Sequence, residues 1–215
     1  HKAIDALVAT ALAERPGLQI LELAAGLSGR GLRFTRRHAE LIYVETDLHG
    51  SLAKKRELLG RLEGLPSGLR TESLDVLADP SGWRDVLARH FDLAAPVVVI
   101  AEGLLQYLTP DQMRRSWASM LTTFSGSLVY LANMTLQREG AGAGSVRALH
   151  ALLGALVGRK MWTHFDSEAT TVSALREAGF SGGRLHAPGD LVAESNGASA
   201  VQWIVEATRD PIELP

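Results

Sequence analysis

QILELAAGLSGRG, from Gln19 to Gly31, decides the fold: an apolar run ends in small residues and glycines that open onto a helix. A strand, a tight turn and a helix in that order form the opening unit of a sheet covered by helices on both faces. The pattern recurs downstream. Leu41 to Asp47, Arg70 to Asp75, Pro96 to Ala101, Ser127 to Asn133 and Val201 to Ala207 read as further strands, beside a first strand from Gln19 to Ala25. PVVVIA (Pro96 to Ala101) is β-branched nearly throughout, as a strand buried on both faces should be.

The segments between strands have helical spacing and readable ends. Ile4, Leu7, Val8 and Leu12 predict a helix within His1 to Arg15. Ser51 to Leu62 reads as a helix with Lys54, Lys55 and Arg56 on its solvated side, ended by Gly64 and Pro66. Asp79-Pro80 reads as an N-cap and first helical residue. Thr109-Pro-Asp-Gln112 has the form of a capping box. Ser145 to Val157 and Ser167 to Ala178 are two more helices, the second closed by Gly179, and Gly140 to Gly144 is the candidate for a loop. Val201 to Ala207 has no helix after it, and Arg184 to Leu191 reads as a partner strand interrupted by Pro188. The expectation is one α/β domain over 1–215, doubly wound, with a mostly parallel sheet and an antiparallel edge strand.

Composition bounds the partners. The 215 residues are 46% hydrophobic with a formal charge of −2, which gives no electrostatic footprint for nucleic acid or an anionic membrane. No apolar stretch is long enough to span a bilayer. There is no cysteine, so disulfides, thiolate nucleophiles and thiolate metal sites are excluded, and a cytoplasmic location is expected. No metal site is expected, and the partner should be a small molecule. The chain opens on His1, not Met, so its native N-terminus is expected to lie upstream.

In a doubly wound sheet, ligands bind outside the carboxyl ends of the strands, where strand order reverses. The first strand contains Glu22 and runs into Ala24-Ala-Gly26-Leu-Ser-Gly29-Arg-Gly31. The next three end on Asp47 (with Glu45 two residues earlier), Asp75-Val76 and Glu102-Gly103. Taken singly, each is ordinary: a tight turn, a loop acid, a helix N-terminal acid. Together, carboxylates at neighbouring strand ends would repel one another unless something cationic or rich in donors filled the crevice. S-adenosylmethionine has that character. Its ribose diol suits Asp47, about 20 residues past the glycine turn, as a ribose-binding acid should be. Its adenine amino group suits Asp75, with the Val76 N–H serving a ring nitrogen, and its ammonium and sulfonium suit Glu22 and Glu102. A nicotinamide dinucleotide is the rival, but its G-x-G-x-x-G order is not that of Gly26-x-x-Gly29-x-Gly31.

ILELAAGLSGRGLRF (Ile20 to Phe34), YVETDL with AKKRELL (Tyr43 to Leu59), SLDV (Ser73 to Val76) and IAEGLLQYLTP (Ile100 to Pro110) resemble the leucine carboxyl methyltransferase family. More narrowly, they look like its bacterial members linked to polyketide-type O-methylation. The similarity covers most of the chain from Leu18 onward, and the last of these runs is its most specific piece. The resemblance implies that Gly26 admits the cofactor to the backbone. It assigns Asp47 to the ribose, Asp75 and Val76 to adenine, and Glu102 to the methionine side. Three departures accompany it. Ala24 stands where many relatives have glycine, and His49-Gly50 where they often have proline. The family's N-terminal arm, with an arginine for the cofactor carboxylate, is largely absent, so the pocket is expected to be open on that side.

Methyl transfer is an in-line displacement whose rate comes mainly from alignment in a dry pocket. A carboxylate acceptor needs no base, whereas a phenol, with a pKa near 10, would gain from one. The candidates are His164, in the aromatic-rich Met161 to Phe165, and Tyr107, which follows the Glu102 loop. His150 reads as a core or interface residue, and His38 and His90 as surface helix residues. The apolar helix Ser145 to Val157 can serve as core or as a homodimer face. Three functions therefore stand: an O-methyltransferase for a carboxylate or hydroxyl of a small metabolite, a degenerate cofactor-binding or partner protein, and an NAD(P)-dependent oxidoreductase.

Overall fold

A computed structural model describes residues 1–136, 161–192 and 202–210. The helix expected at Ser145 to Val157, with His150, and the loop Gly140 to Gly144 lie outside those residues. Seven strands form one sheet: β1 (Gln19–Glu22), β2 (Tyr43–Asp47), β3 (Leu69–Ser73), β4 (Val97–Ala101), β5 (Leu128–Met134), β6 (Gly182–His186) and β7 (Trp203–Arg209), in the order β3-β2-β1-β4-β5-β7-β6. The first five run parallel, and β7 pairs antiparallel with both β5 and β6. The expected reversal at that end of the sheet is present, with β7 one place inside the edge and β6 outside it.

The helices are α1 (Lys2–Glu14), α2 (Arg30–Arg37), α3 (His49–Leu59), α4 (Pro80–Leu87), α5 (Pro110–Thr123), α6 (Glu168–Ala178) and the single turn α7 (Pro188–Leu191). Their ends follow the chemistry of the caps. Asp79 accepts from the Gly82 N–H, and Thr109 and Gln112 exchange the two bonds of a capping box. Gly179 closes α6 in the left-handed conformation at φ +108°. Pro188 does not interrupt a strand: β6 stops at His186, and the proline opens α7, where its missing N–H costs nothing.

Alternation along the strands divides the core in two. Ile20, Tyr43, Val98, Ile100, Val129 and Leu131 pack with Ile4 and Val8 of α1 and Phe34 of α2. Leu21, Val44, Val97 and Val99 pack on the other face with Trp83 of α4, Trp117 of α5 and Leu175 of α6. Every residue of β4 is buried, as its β-branched run predicts. Among the described residues, no helix is long and apolar enough to cross a membrane.

One expectation fails in α3. Lys55 is not on the solvated side: it is 4% exposed, with Nζ 2.7 Å from Glu45 Oε2 of β2. The helix starts at His49 and its C-cap is Gly60, so the turn carrying Lys55 lies against the sheet. A lysine between two exposed cations reads as solvated when the buried acid opposite is distant in sequence.

Candidate functional site

Strand order reverses between β1 and β4, and the turn after β1 faces the end of β4 across that point. A cleft of about 540 Å³ opens there, its wall including Asp5, Glu22, Ala24, Ala25, Ser28 and Glu102. The turn is tightly wound. Ala24 and Gly26 have φ of +49° and +51°, and Gly103 after β4 has φ +75°. Glycine takes such angles freely, while alanine is strained by roughly 1–2 kcal/mol. Ala24→Gly is therefore expected to stabilise the fold by about 0.5 kcal/mol, because the added freedom of the unfolded glycine offsets part of that relief. A thermal melt should move upward by roughly 1–2 °C; an unchanged or lower midpoint would show that Ala24 carries no strain.

Asp47 ends β2 and grips this turn from the far side. Its Oδ2 accepts from the Gly26 N–H at 2.7 Å and its Oδ1 from the Leu48 N–H at 2.7 Å. A carboxylate has about four acceptor positions, so this anchoring leaves room for two ligand hydroxyls. Asp75 is exposed just beyond β3, where its Oδ1 accepts from Leu77 N–H, and Val76 is buried beside it. Leu27, Leu48 and Leu77, which follow the ends of β1, β2 and β3, are among the exposed large apolar residues. A flat apolar ligand face would find its contacts among them.

Arg30, absent from the sequence expectations, organises the acids. It is the first residue of α2 and is fully buried. Its Nε donates to Asp5 Oδ1 at 2.6 Å, one terminal nitrogen to Glu22 Oε1 at 2.5 Å, and the other to Glu102 Oε2. Burial alone would lower its pKa, but Glu22, Asp5 and Glu102 outweigh that and push it upward, so the guanidinium stays charged. An acid-filled crevice does need a cation, and the chain supplies one itself. The signal was available: a cation at a helix N-terminus opposes the helix dipole, and Arg30 sits there between two glycines.

This changes the reading of Glu22. Its Oε1 holds Arg30 and its Oε2 accepts from the Tyr43 hydroxyl at 2.7 Å. It is 1% exposed, so it supports the cleft from beneath. Burial first, and then Glu22, push the Tyr43 hydroxyl well above the usual phenol range. Glu102 differs. Its Oε2 takes the bonds of Arg30 and His1, whereas Oε1 accepts no hydrogen bond among the described residues, and the side chain is 18% exposed. Behind the turn, Gly31 permits close approach: a Cβ there would fall 2.7 Å from Glu45 Oε1. Of the expected cofactor residues, Gly26 and Asp47 are joined directly, Glu22 and Glu102 are joined through Arg30, and Asp75 with Val76 stands at the β3 end.

The acceptor-side candidates form a separate group. Tyr107 lies in the 3-10 turn Leu105–Tyr107, and His164 Nε2 is 2.8 Å from the Leu105 carbonyl of that turn. This fixes the proton on Nε2 and leaves Nδ1 as acceptor. Burial lowers the His164 pKa, keeping the ring neutral. Neither residue lines the cleft beside Glu102. His90 and His38 both fall just beyond helix ends, His90 at 2.7 Å from Glu72 Oε1.

The arrangement fits S-adenosylmethionine: Asp47 for the ribose, Asp75 and Val76 for adenine, and the open Glu102 Oε1 for the ammonium. When bound, that cofactor supplies a methyl group on a sulfonium centre. The residues here would bind and orient it.

Comparison with known proteins bears on the family and the fold. Over 99 residues, 45% of this chain, it is 38% identical to a Mycolicibacterium gilvum protein provisionally named an S-adenosyl-L-methionine-dependent methyltransferase, of which the match covers 31%. A similarly named Mycolicibacterium paratuberculosis protein is 36% identical over 106 residues, 48% of this chain and 34% of that protein. The match thus spans about a third of the length of these curated relatives. Among solved structures, magnesium protoporphyrin IX methyltransferase from Synechocystis, with bound S-adenosylhomocysteine, superposes with a TM-score of 0.57 at 15% identity, covering 97% of this chain and 83% of that one. Human N-acetylserotonin methyltransferase, in complex with S-adenosylmethionine, gives 0.63 at 12% identity, covering 97% and 52%. At those identities the likeness is one of fold, an α/β Rossmann-like sheet. Residues 1–120, more than half of the chain, match the family model for leucine carboxyl methyltransferase, and the chain belongs to that family.

Proposed function

We propose that the protein is an S-adenosylmethionine-dependent O-methyltransferase acting on a carboxylate or hydroxyl of a small, polyketide-like metabolite. The observation that carries the cofactor half is the pairing of Asp47 with the Gly26 N–H at the strand-order reversal, opposite the open oxygen of Glu102. Family membership supports methyl transfer, and the provisional names of the curated relatives point the same way. The oxygen acceptor rests on the resemblance of Ile100 to Pro110 to the bacterial branch. An NAD(P)-dependent oxidoreductase is disfavoured, since the glycine turn lacks the spacing that admits a pyrophosphate.

Alignment and exclusion of water supply most of the rate in this reading. A carboxylate acceptor arrives ionised and requires no base. For a phenol, the candidate bases are His164 and Tyr107, both outside the cleft beside Glu102.

Calorimetry on the full-length protein tests the cofactor, and transfer of labelled methyl to a panel of aromatic acids and phenols tests the acceptor. Both adenosyl compounds should bind, NAD(P) should not, and label should reach an oxygen of the panel. Binding without transfer would favour a degenerate cofactor-binding protein. Failure of either adenosyl compound to bind would remove the proposal.

A further inference from the structure

Three acids from separate parts of the chain meet on the Arg30 guanidinium: Asp5 from α1, Glu22 from β1 and Glu102 beyond β4. A planar fork can serve three directions at once, which a lysine ammonium on a flexible stem cannot hold in the same way. Two of the three contacts anchor the arginine. Glu22 is buried and itself fixed by Tyr43, and Asp5 is braced by Arg33 at 2.5 Å. The third, Glu102, is the one with an oxygen left over: its Oε1 accepts no hydrogen bond among the described residues, and its side chain is 18% exposed against 25% for Asp5. Arg30 thus ties two acids with further partners inside the chain to a third, Glu102, whose Oε2 it holds together with His1 Nδ1 at 2.9 Å.

We infer that Arg30 is a positioning residue. Anchored by Glu22 and Asp5, it fixes Glu102 through Oε2 so that Oε1 is set to accept the ammonium of the cofactor's amino-acid end. This rests on the cofactor reading above and goes beyond it, because it assigns recognition of one end of the ligand to a residue that does not touch it. A purely architectural role for Arg30 makes a different prediction. Damage to the fold near the turn would weaken every adenosine compound alike, whereas loss of positioning would weaken only those carrying an ammonium.

The test compares S-adenosylhomocysteine with methylthioadenosine, which has the same nucleoside and no amino-acid end, by calorimetry on the full-length protein. Arg30→Lys should weaken S-adenosylhomocysteine about tenfold and leave methylthioadenosine within about twofold, an effect of the size expected for one charge-assisted hydrogen bond. Glu102→Gln should show the same contrast. The double variant should lose no more than the larger single loss, since both changes remove one interaction. If Arg30→Lys does not fold, Asp5→Asn loosens the anchor from its more exposed side, and a smaller loss confined to S-adenosylhomocysteine is expected. Equal weakening of both ligands, or no weakening of either, would overturn the positioning role. If neither ligand binds the wild-type protein, the cofactor reading itself falls, and that outcome is distinct from the other two.

Discussion

Lys55→Met is expected to leave stability nearly unchanged at pH 5.5 and to lower it by roughly 3 kcal/mol at pH 9. Glu45 is 1% exposed, and burial pushes its pKa from 4.5 up to about 7 against the pull of Lys55. Between those values the folded protein holds a proton that the unfolded chain has shed, so stability falls as pH rises. In the wild type the fall stops near pH 7, where Glu45 ionises against Lys55. Without Lys55 burial acts unopposed, the proton is retained, and the fall continues at about 1.4 kcal/mol per pH unit. Methionine fills a similar volume, so the low-pH cost is small. Urea unfolding of both proteins from pH 5.5 to 9 measures this directly. Glu45→Gln in the variant background should flatten the high-pH slope. Parallel profiles for wild type and variant would show that another group titrates.

The second large effect belongs to Asp47. Asp47→Ala should weaken S-adenosylhomocysteine about 100-fold, because two charge-assisted bonds to the ribose diol carry roughly 3 kcal/mol. The same change frees the Gly26 and Leu48 N–H groups that now shape the turn. Asp47→Asn keeps one acceptor oxygen and should lose nearer tenfold. Calorimetry on the three proteins gives the comparison. A loss below about threefold for the alanine variant would mean that the ribose is bound elsewhere.

How much of this was legible follows from the range of the interactions. β4 announces itself because five buried β-branched or small residues in a row allow almost no other reading. Caps at Asp79, Thr109 and Ser167 are readable because donor and acceptor lie three residues apart. Asp47 is reached by an interval fixed by the geometry of one βαβ unit. Arg30 and Lys55 were not found, and for one reason. Each is a cation whose burial depends on acids 8 to 72 residues away; nothing local distinguishes Lys55 from its solvated neighbours, and for Arg30 the local sign is only its place at a helix N-terminus. Glu22 was assigned to the ligand on the same basis, because a strand-end acid and an acid already paired with an internal arginine look identical in the sequence. Strand ends were overrun by three residues at β1 and two at β3, where Leu23 and Leu74 continue the apolar pattern past the last strand residue.

β7 follows both of its neighbours in the chain yet separates them in space. During synthesis, then, β5 emerges with one edge bare and β6 with no strand to join, since among the described residues it pairs only with β7. The parallel half of the sheet and its cleft can assemble while this flank stays open, and an open strand edge is where foreign chains attach. The interval between the emergence of β5 and that of β7 is the period in which a nascent copy is most exposed to misassembly on the ribosome.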